Sequence, residues 1–572
     1  MTTRTCDVLV IGAGAGGLST AITAKKHGLD VIVIEKDDCF GGTTAFSGGV
    51  LWVPGNPLGN GDTTEAARTY LRNETGACYD DAGVEAFLRY GPQMVEFFQR
   101  ETAVSFVPTL YPDYHPQVEG GVDVGRSILA APFDIRALGA DMARLRPPLK
   151  TITFIGMMFN SSNADLKHFF NVTRSLTSFV YVAKRLLTHL KELALYRRGT
   201  QVTSGNALAA RLVKSAQDLG IPILTGTPAK QLLEDKGRVR GALASHGGQE
   251  LRIEARRGVV LACGGFSHDL QRIRQAYPHL RRGGEHFSPV PSSNTGDGAR
   301  MAEALGAKVD IRLQAAAAWM PVSKVPMGGG REVAFPHLLD RYKPGIIGVL
   351  RSGRRFTNES ESYHDVGAAM IEACADSKET AMWLVCDRRT LGKYGLGYAK
   401  PAPMPLSPLL RNGYLLKGDT LAELARNAGI DAQGLEQTVR DYNLGARQGQ
   451  DLQFGRGSTS FNRYLADPAQ QPNPCVAPIG EGPYYAVKVV MGDLGTFDGL
   501  RTSVVGEVLD ANQQAIDGLY AVGNDRASIM GGNYPGAGIT LGPIMTFGYI
   551  TGRHLAGVDQ GLNSAAQARE VA

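Results

Sequence analysis

Cysteine is scarce in this chain. The seven present, Cys6, Cys39, Cys78, Cys263, Cys374, Cys386 and Cys475, are scattered, odd in number and free of any C-x-x-C pair. That pattern excludes a disulfide framework and offers no zinc or iron–sulfur site, so no metal is expected and a reducing cytoplasm is the expected home. Long apolar runs are missing too: none approaches the ~18 to 20 residues of a membrane span. The first apolar run, residues 8–11, leads straight into a glycine motif and belongs to the fold, so no cleaved leader is expected. A chain-wide excess of one charge is also absent. Residues 139–200 hold ten Lys/Arg and three acids, which is +7, so the net charge of +5 leaves −2 for the rest. One local basic segment is not a nucleic-acid-binding surface.

Glycine, by contrast, is abundant: 71 of 572 residues, roughly 12% against a usual ~7%. Such an excess suits a fold in which backbone repeatedly approaches a large ligand. The length exceeds one ordinary core, so two or more domains are expected. Residues 6–11 read as a buried strand, 15–28 as a helix and 31–34 as a second strand, with Gly12-Ala13-Gly14-Ala15-Gly16-Gly17 at the turn. Gly12 permits the tight turn, Gly14 admits a pyrophosphate and Gly17 lets helix pack on strand, while the helix amino terminus faces the phosphates. Glu35, closing the second strand, can accept from both ribose hydroxyls. The glycine motif alone does not tell NAD from FAD.

Further along, Gly41-Gly42-Thr43-Thr44 with Ser47-Gly48-Gly49 reads as an anion nest and second dinucleotide contact. Residues 63–105 look helical and 106–128 loop-like. Helices are expected over 206–219 and about 539–555, and strands near 221–225, 238–245 and 258–262. Near the end, Asn533-Tyr534-Pro535-Gly536-Ala537-Gly538 brings backbone and a tyrosine hydroxyl close to a ligand. A hydroxyl plus an N–H makes an oxyanion hole without a charged residue.

Together, GAGAGG with Glu35, then Gly41–Gly49, Ala262-Cys263-Gly264-Gly265-Phe266, Asn294-Thr295-Gly296-Asp297-Gly298, Gly518-Leu519-Tyr520-Ala521-Val522-Gly523-Asn524 and the terminal GPIMTFGYITGRHLAG resemble the fumarate reductase/succinate dehydrogenase flavoprotein superfamily. The resemblance implies an α/β fold. A discontinuous Rossmann-like FAD-binding domain would take 1–138, 203–310 and 488–572, with an inserted α+β catalytic domain at 311–487 and a basic helical insertion at 139–202. It also implies FAD, with contacts from Gly12, Gly14, Ala15, Gly16, Gly17, Glu35, Lys36, Gly42, Thr43, Thr44, Ser47, Gly48, Gly49, Ala229, Gly264, Asn294, Asp297, Gly523, Asn524, Gly538 and Leu541. No histidine follows the GGTT loop, so the flavin is expected to be non-covalent.

Within that superfamily the details are similar to the 3-ketosteroid dehydrogenases of the Δ1 type. Gly492-Asp493-Leu494-Gly495-Thr496, Asn358-Glu359-Ser360 with Ser362-Tyr363, and Tyr534-x-Gly-x-Gly538 carry the likeness. Where the dicarboxylate enzymes have His-Pro-Thr, this chain reads Gln314-Ala315-Ala316-Ala317-Ala318-Trp319-Met320-Pro321. The resemblance implies α,β-desaturation of a cyclic ketone, with a 3-ketosteroid the leading substrate class. Tyr534 and the Gly538 amide would polarise the carbonyl, Tyr363 would take the α proton, and Tyr114 would assist, with Tyr111 its rival. An ordinary tyrosine titrates near ~10, so a lowered value is expected at Tyr363. Arg354, Arg355 and Glu359 read as a structural ion pair, and His115 and His364 as hydrogen-bonded residues. The Δ4(5α) enzymes, small cyclic ketone dehydrogenases and a fumarate-type reductase are the alternatives. A quinone or an electron-transfer protein is the expected acceptor.

Residues 139–200 exceed what the family leads one to expect. Leu176, Phe179, Val180, Ala183, Leu187, Leu190 and Ala194 recur at three and four, one apolar face of a helix, with Arg174, Lys184, Arg185, Lys191, Arg197 and Arg198 mostly elsewhere. Two readings stand: a helical cap packed on the body, or peripheral contact of 150–200 with an anionic membrane.

Overall fold

The apolar runs without alternation become the centre of a largely parallel sheet, buried on both faces as such runs require. The structure, a computed structural model, describes residues 2–59, 61–158, 168, 172 and 175–558. Strand Thr2–Ile11 lies between Val31–Ile34 and Gln249–Leu261, parallel to both, and the order continues through Ala515–Ala521 on one side and Ile223–Leu224 on the other. The long strand Gln249–Leu261 also forms, with its first half, an antiparallel meander with Arg238–His246 and Ala229–Asp235. Helices Ala15–Lys26, Ser204–Asp218 and Leu541–Leu555 cover this sheet, and the first packs closely on the last. Both chain ends thus build one layer.

The second sheet is antiparallel. Strand Tyr484–Thr496 pairs with Ala317–Pro326, Ala381–Asp387 and Leu416–Gly418, and Glu332–Pro336 and Ile347–Val349 complete it. This strand continues past residue 487 to Thr496, so a single strand bridges the boundary drawn in the sequence.

Other expectations change in detail. The helical stretch 63–105 is two helices, Thr64–Thr75 and Asp81–Glu101, broken where Gly76 takes a positive φ. The loop-like 106–128 contains Phe106–Pro108 and the start of Ser127–Ala130, which pair with each other and with Val50–Trp52. Pairing partners distant in sequence outweigh local proline content there. The final helix begins at Leu541, and the one expected at 15–28 ends at Lys26.

The amphipathic helix is real but turned the other way. Leu176–Tyr196 buries Ser178, Val182 and His189, while Leu176, Phe179, Val180, Leu187 and Leu190 are exposed. His189 anchors it through the Ile155 carbonyl at 2.9 Å. The expectation that its apolar face packs on the body is therefore corrected: a polar pair does the anchoring. Arg174 and Lys167 lie outside the described residues. No helix among the described residues is long and apolar enough to cross a membrane.

Candidate active site

A groove opens at the carboxyl ends of the parallel strands, the place where such sheets bind dinucleotides. It is walled by Gly12, Gly14, Ala15, Gly16, Glu35, Lys36, Gly42, Thr43, Thr44, Ala229, Gly264, Asn294, Asp297, Gly523 and Asn524. Gly12 has φ +118°, and a Cβ there would stand 2.1 Å from the Ala262 carbonyl oxygen. A Cβ on Gly17 would meet the Gly12 oxygen at 2.0 Å, which is the close helix-on-strand packing anticipated for that glycine. Glu35 is buried and accepts from the Ala13 and Asp37 amides at 2.9 and 3.0 Å. Burial pushes its pKa up. Asn294 donates to Thr43 Oγ1 and to the Gly264 carbonyl, both at 3.0 Å, tying two distant loops.

Several site residues work from behind the groove. Ser47 donates to the Thr44 carbonyl at 2.8 Å and accepts from Gly49, shaping the turn. Gly49 permits contact with helix Ser204–Asp218, where a Cβ would sit 2.2 Å from the Ser204 carbonyl carbon. Gly48, Gly538 and Leu541 likewise lie off the groove wall. Lys36 is engaged by Thr295 and Asp297, both at 2.7 Å. Sequence reasoning missed Asp525. Its buried carboxylate accepts from the Cys263 and Gly265 amides at 2.5 and 3.1 Å, locking the ACGGF turn to the GN turn. An acid in so apolar a glycine context was the available signal.

The tyrosines converge from three parts of the chain. The Tyr363 ring stands 5.0 Å from Tyr534 and 5.9 Å from Tyr114, and the Tyr114 and Tyr363 hydroxyls are 3.4 Å apart. Tyr114 stacks on Tyr534 at 5.6 Å. Tyr111 instead packs on Tyr464. Tyr534 lies beside Phe497, and Tyr114 beside Phe461, so the walls are apolar.

Local structure explains the convergence. Residues 113–115 run beside 535–536: Asp113 bridges to Gly536, and the Tyr114 amide donates to the Pro535 carbonyl at 2.9 Å. Asp113 is held by Trp52 Nε1 at 2.7 Å and Arg126 at 2.6 Å. Ser362 caps the helix that Tyr363 begins, and the buried Arg355–Glu359–Arg456 ion network fixes the chain just before it. Gly538 has φ +98°, and its carbonyl accepts from Trp52 and Gly542. Its N–H has no acceptor among the described residues.

The expectation of a lowered Tyr363 pKa is corrected. Burial, and then the neighbouring Tyr114 and Tyr534, raise it well above the ordinary value. No cation among the described residues is a leading influence on it, so the lost hydration is not offset. His115 bridges Glu74 and Asp365 at 2.8 and 3.0 Å, and His364 joins the Trp319 amide to the Gly532 carbonyl.

Fold and groove are those of an FAD-binding flavoprotein. The family profile described as an FAD binding domain matches residues 7–541, and the chain belongs to that family. More particularly, it is 44% identical to the 4-oxocyclohex-2-ene-1-carboxylate 5-dehydrogenase of Sinomonas cyclohexanicum, over 97% of this chain and 94% of that one. It is 38% identical to a 3-oxosteroid 1-dehydrogenase of Mycobacterium tuberculosis, over 97% of this chain and 99% of that one. The crystal structure of the 3-ketosteroid Δ1-dehydrogenase of Sterolibacterium denitrificans, in complex with 1,4-androstadiene-3,17-dione, superposes with a TM-score of 0.88 at 36% identity, covering 97% of this chain and all of that one. The chain is an FAD-dependent dehydrogenase acting on CH–CH bonds.

Proposed function

We propose that the protein desaturates a cyclic ketone, removing one hydrogen from the α carbon and one from the adjacent β carbon. The observation that carries this reading is the meeting of the Tyr363, Tyr534 and Tyr114 rings; Gly538, four residues after Tyr534, keeps an amide without an acceptor among the described residues. Tyr534 and the Gly538 N–H polarise the carbonyl oxygen as a preorganised oxyanion hole. Tyr363 acts as the base in its phenolate form and becomes the phenol as it takes the α proton, and the Tyr114 hydroxyl, 3.4 Å away, donates to the Tyr363 oxygen and so supports the phenolate. The apolar walls exclude water and leave ring carbons as the natural occupant. FAD, bound along the glycine groove, supplies acceptance of the β hydrogen with its electron pair, and a quinone or electron-transfer protein takes the electrons onward.

A 3-ketosteroid, desaturated at positions 1 and 2, is the leading substrate. The 44% identity to an enzyme named for a small oxo-cyclohexene carboxylate favours a second reading, a simple ring ketone. Anaerobic mixing with 3-ketosteroids and with 4-oxocyclohexanecarboxylate separates them: the true substrate class bleaches the flavin band. If neither does so and fumarate is reduced instead, the desaturase reading fails.

The outward face of Leu176–Tyr196 supports a resting place on an anionic membrane. Leu176, Leu187 and Phe179 are 79%, 69% and 55% exposed beside the exposed Lys184 and Lys191. Apolar burial with basic flanks is the interfacial-helix pattern. Sedimentation with anionic vesicles, released by high salt, is the expected result; indifference to lipid charge counts against it.

A further inference from the structure

Five arginines are buried among the described residues, and four of them donate to carboxylates or backbone carbonyls, Arg341 with one Nη left over. Arg126 meets Asp62 and Asp113, Arg355 meets Glu359 and Asp451, Arg456 meets Glu359, and Arg341 donates to backbone carbonyls. Arg526 is the exception. It is 7% exposed, its guanidinium carbon stands 3.5 Å from the Phe547 ring centroid, and its Nη1 has no hydrogen-bond partner. No salt bridge to it exists among the described residues; Asp80 is the carboxylate whose charge reaches it. A buried cation without a partner is costly and calls for an occasional anion.

The side chain has a cavity beside it. A small second hollow is lined by Arg526, Phe547, Thr540, Pro543, Asn524 and Phe497. It shares Gly523, Asn524 and Ile544 with the dinucleotide groove, and its wall includes Ile539 and Thr540, the residues directly after Gly538. It therefore adjoins both the groove and the segment that follows Gly538. The amino terminus of the 15-residue helix Leu541–Leu555 opens beside it and adds a second positive field.

We propose that Arg526 is the counter-cation for the negative charge that the flavin ring acquires on reduction. The inference rests on the flavin desaturase reading above. In that reaction the α proton goes to Tyr363. The β hydrogen leaves with both electrons of its C–H bond, and a flavin held in the groove would accept it and would then carry one delocalised negative charge. A delocalised, planar anion suits a planar guanidinium. Burial lowers the Arg526 pKa to about 10, so it stays charged near neutrality. Nothing in the tyrosine cluster supplies such a charge.

The test compares the holoenzyme with Arg526→Met and Arg526→Lys, each checked for flavin per protein. Sulfite is the probe, because its adduct at N5 is likewise an anionic ring. Loss of one charge-assisted contact is expected to weaken sulfite binding by about tenfold or more in Arg526→Met. The flavin midpoint potential should fall by about 30 mV for each such factor of ten. Arg526→Lys should recover most of both. Sulfite affinity and midpoint within about twofold and about 10 mV of wild type overturn the assignment. If Arg526→Met fails to fold or loses its flavin, the wild-type midpoint decides. A slope of about 30 mV per pH unit across neutrality, one proton per two electrons, supports an anionic reduced ring; about 60 mV overturns it. A colourless wild-type protein overturns the flavin reading itself, whereas a yellow one with an unresponsive potential overturns only the role of Arg526.

Discussion

The dinucleotide groove and the proposed ketone site are built by opposite means. The groove is made of backbone: Gly12, Gly14, Gly16, Gly42, Gly264 and Gly523 leave room, and a few side chains such as Glu35 and Asn294 tie the loops. The proposed ketone site is made of side chains brought together from residues 114, 363 and 534, with one glycine amide in the same reading. Space in the groove is set by what is missing, so any added atom is harmful. Function at the ketone site is set by what is present, so a single deleted oxygen suffices. Different failures are expected on the two sides.

The largest effect should come from the groove. Gly12→Val adds a Cβ that falls 2.1 Å from the Ala262 oxygen at a φ that side chains rarely adopt. Loss of essentially all flavin, with misfolding of the first strand-turn-helix unit, is expected; visible absorbance per protein measures it. A variant that keeps full flavin would show that the turn yields, and the contrast would collapse.

Next comes the base. Tyr363→Phe should keep flavin and bind ketone, seen as a perturbed but unreduced flavin spectrum, while turnover falls by about 10²–10⁴. Tyr534→Phe removes one oxyanion donor at about 10²–10³ in kcat and also weakens binding, because that hydroxyl meets the ground-state carbonyl. If either phenylalanine variant loses flavin instead, the two regions are not separable as described.

Legibility in the sequence follows the same division. The groove could be read because its geometry is local: a strand, a tight turn and a helix within residues 2–35 leave a fixed spacing of glycines and one acid. Its stabilisers were less visible. Asp525 acts on amides some 260 residues earlier in the chain, and no local spacing encodes that. That the three tyrosines converge was expected only through family likeness, since three tyrosines among 20 carry no mark of their own. The tie between Asp113, Trp52 and Arg126 that seats Tyr114 left no sequence signal. The basic helix was read correctly as amphipathic, yet periodicity says which residues share a face and not which way the face turns. A buried histidine and a carbonyl settled that direction.

A smaller effect should follow from loosening the seat of Tyr114. Asp113 is buried, and burial pushes its pKa up to about 6 despite Arg126. Asp113→Asn keeps the volume but removes the charge that faces Arg126. Small misplacement of a catalytic group can cost up to about 10² in rate. A drop of about tenfold in kcat with unchanged flavin content is expected here, because Asp62 still holds Arg126. An unchanged kcat would mean that Tyr114 is seated by its backbone alone.

The smallest expected effect concerns the clasp between the two tyrosine segments. His115 follows Tyr114, Asp365 lies two residues beyond Tyr363, and Glu74 completes the bridge. Burial alone would lower the His115 pKa, but its bonds to Asp365 and Glu74 raise it to about 11 from the ordinary 6.5. A group bound more tightly to its proton in the folded state stabilises that state when the proton is present. The contribution is therefore full below about pH 6.5, fades above it, and is gone as pH rises through about 11. His115→Gln keeps hydrogen-bonding capacity and loses the charge. The stability gap between wild type and variant, read from urea midpoints, should be widest in mildly acidic buffer and should narrow steadily toward high pH. Turnover at neutral pH should change little, because the imidazole stands behind the phenols and touches no ketone. A gap that is flat with pH would mean that the clasp is not charged. The side-chain-built site would then be held by packing, as the groove is by its glycines.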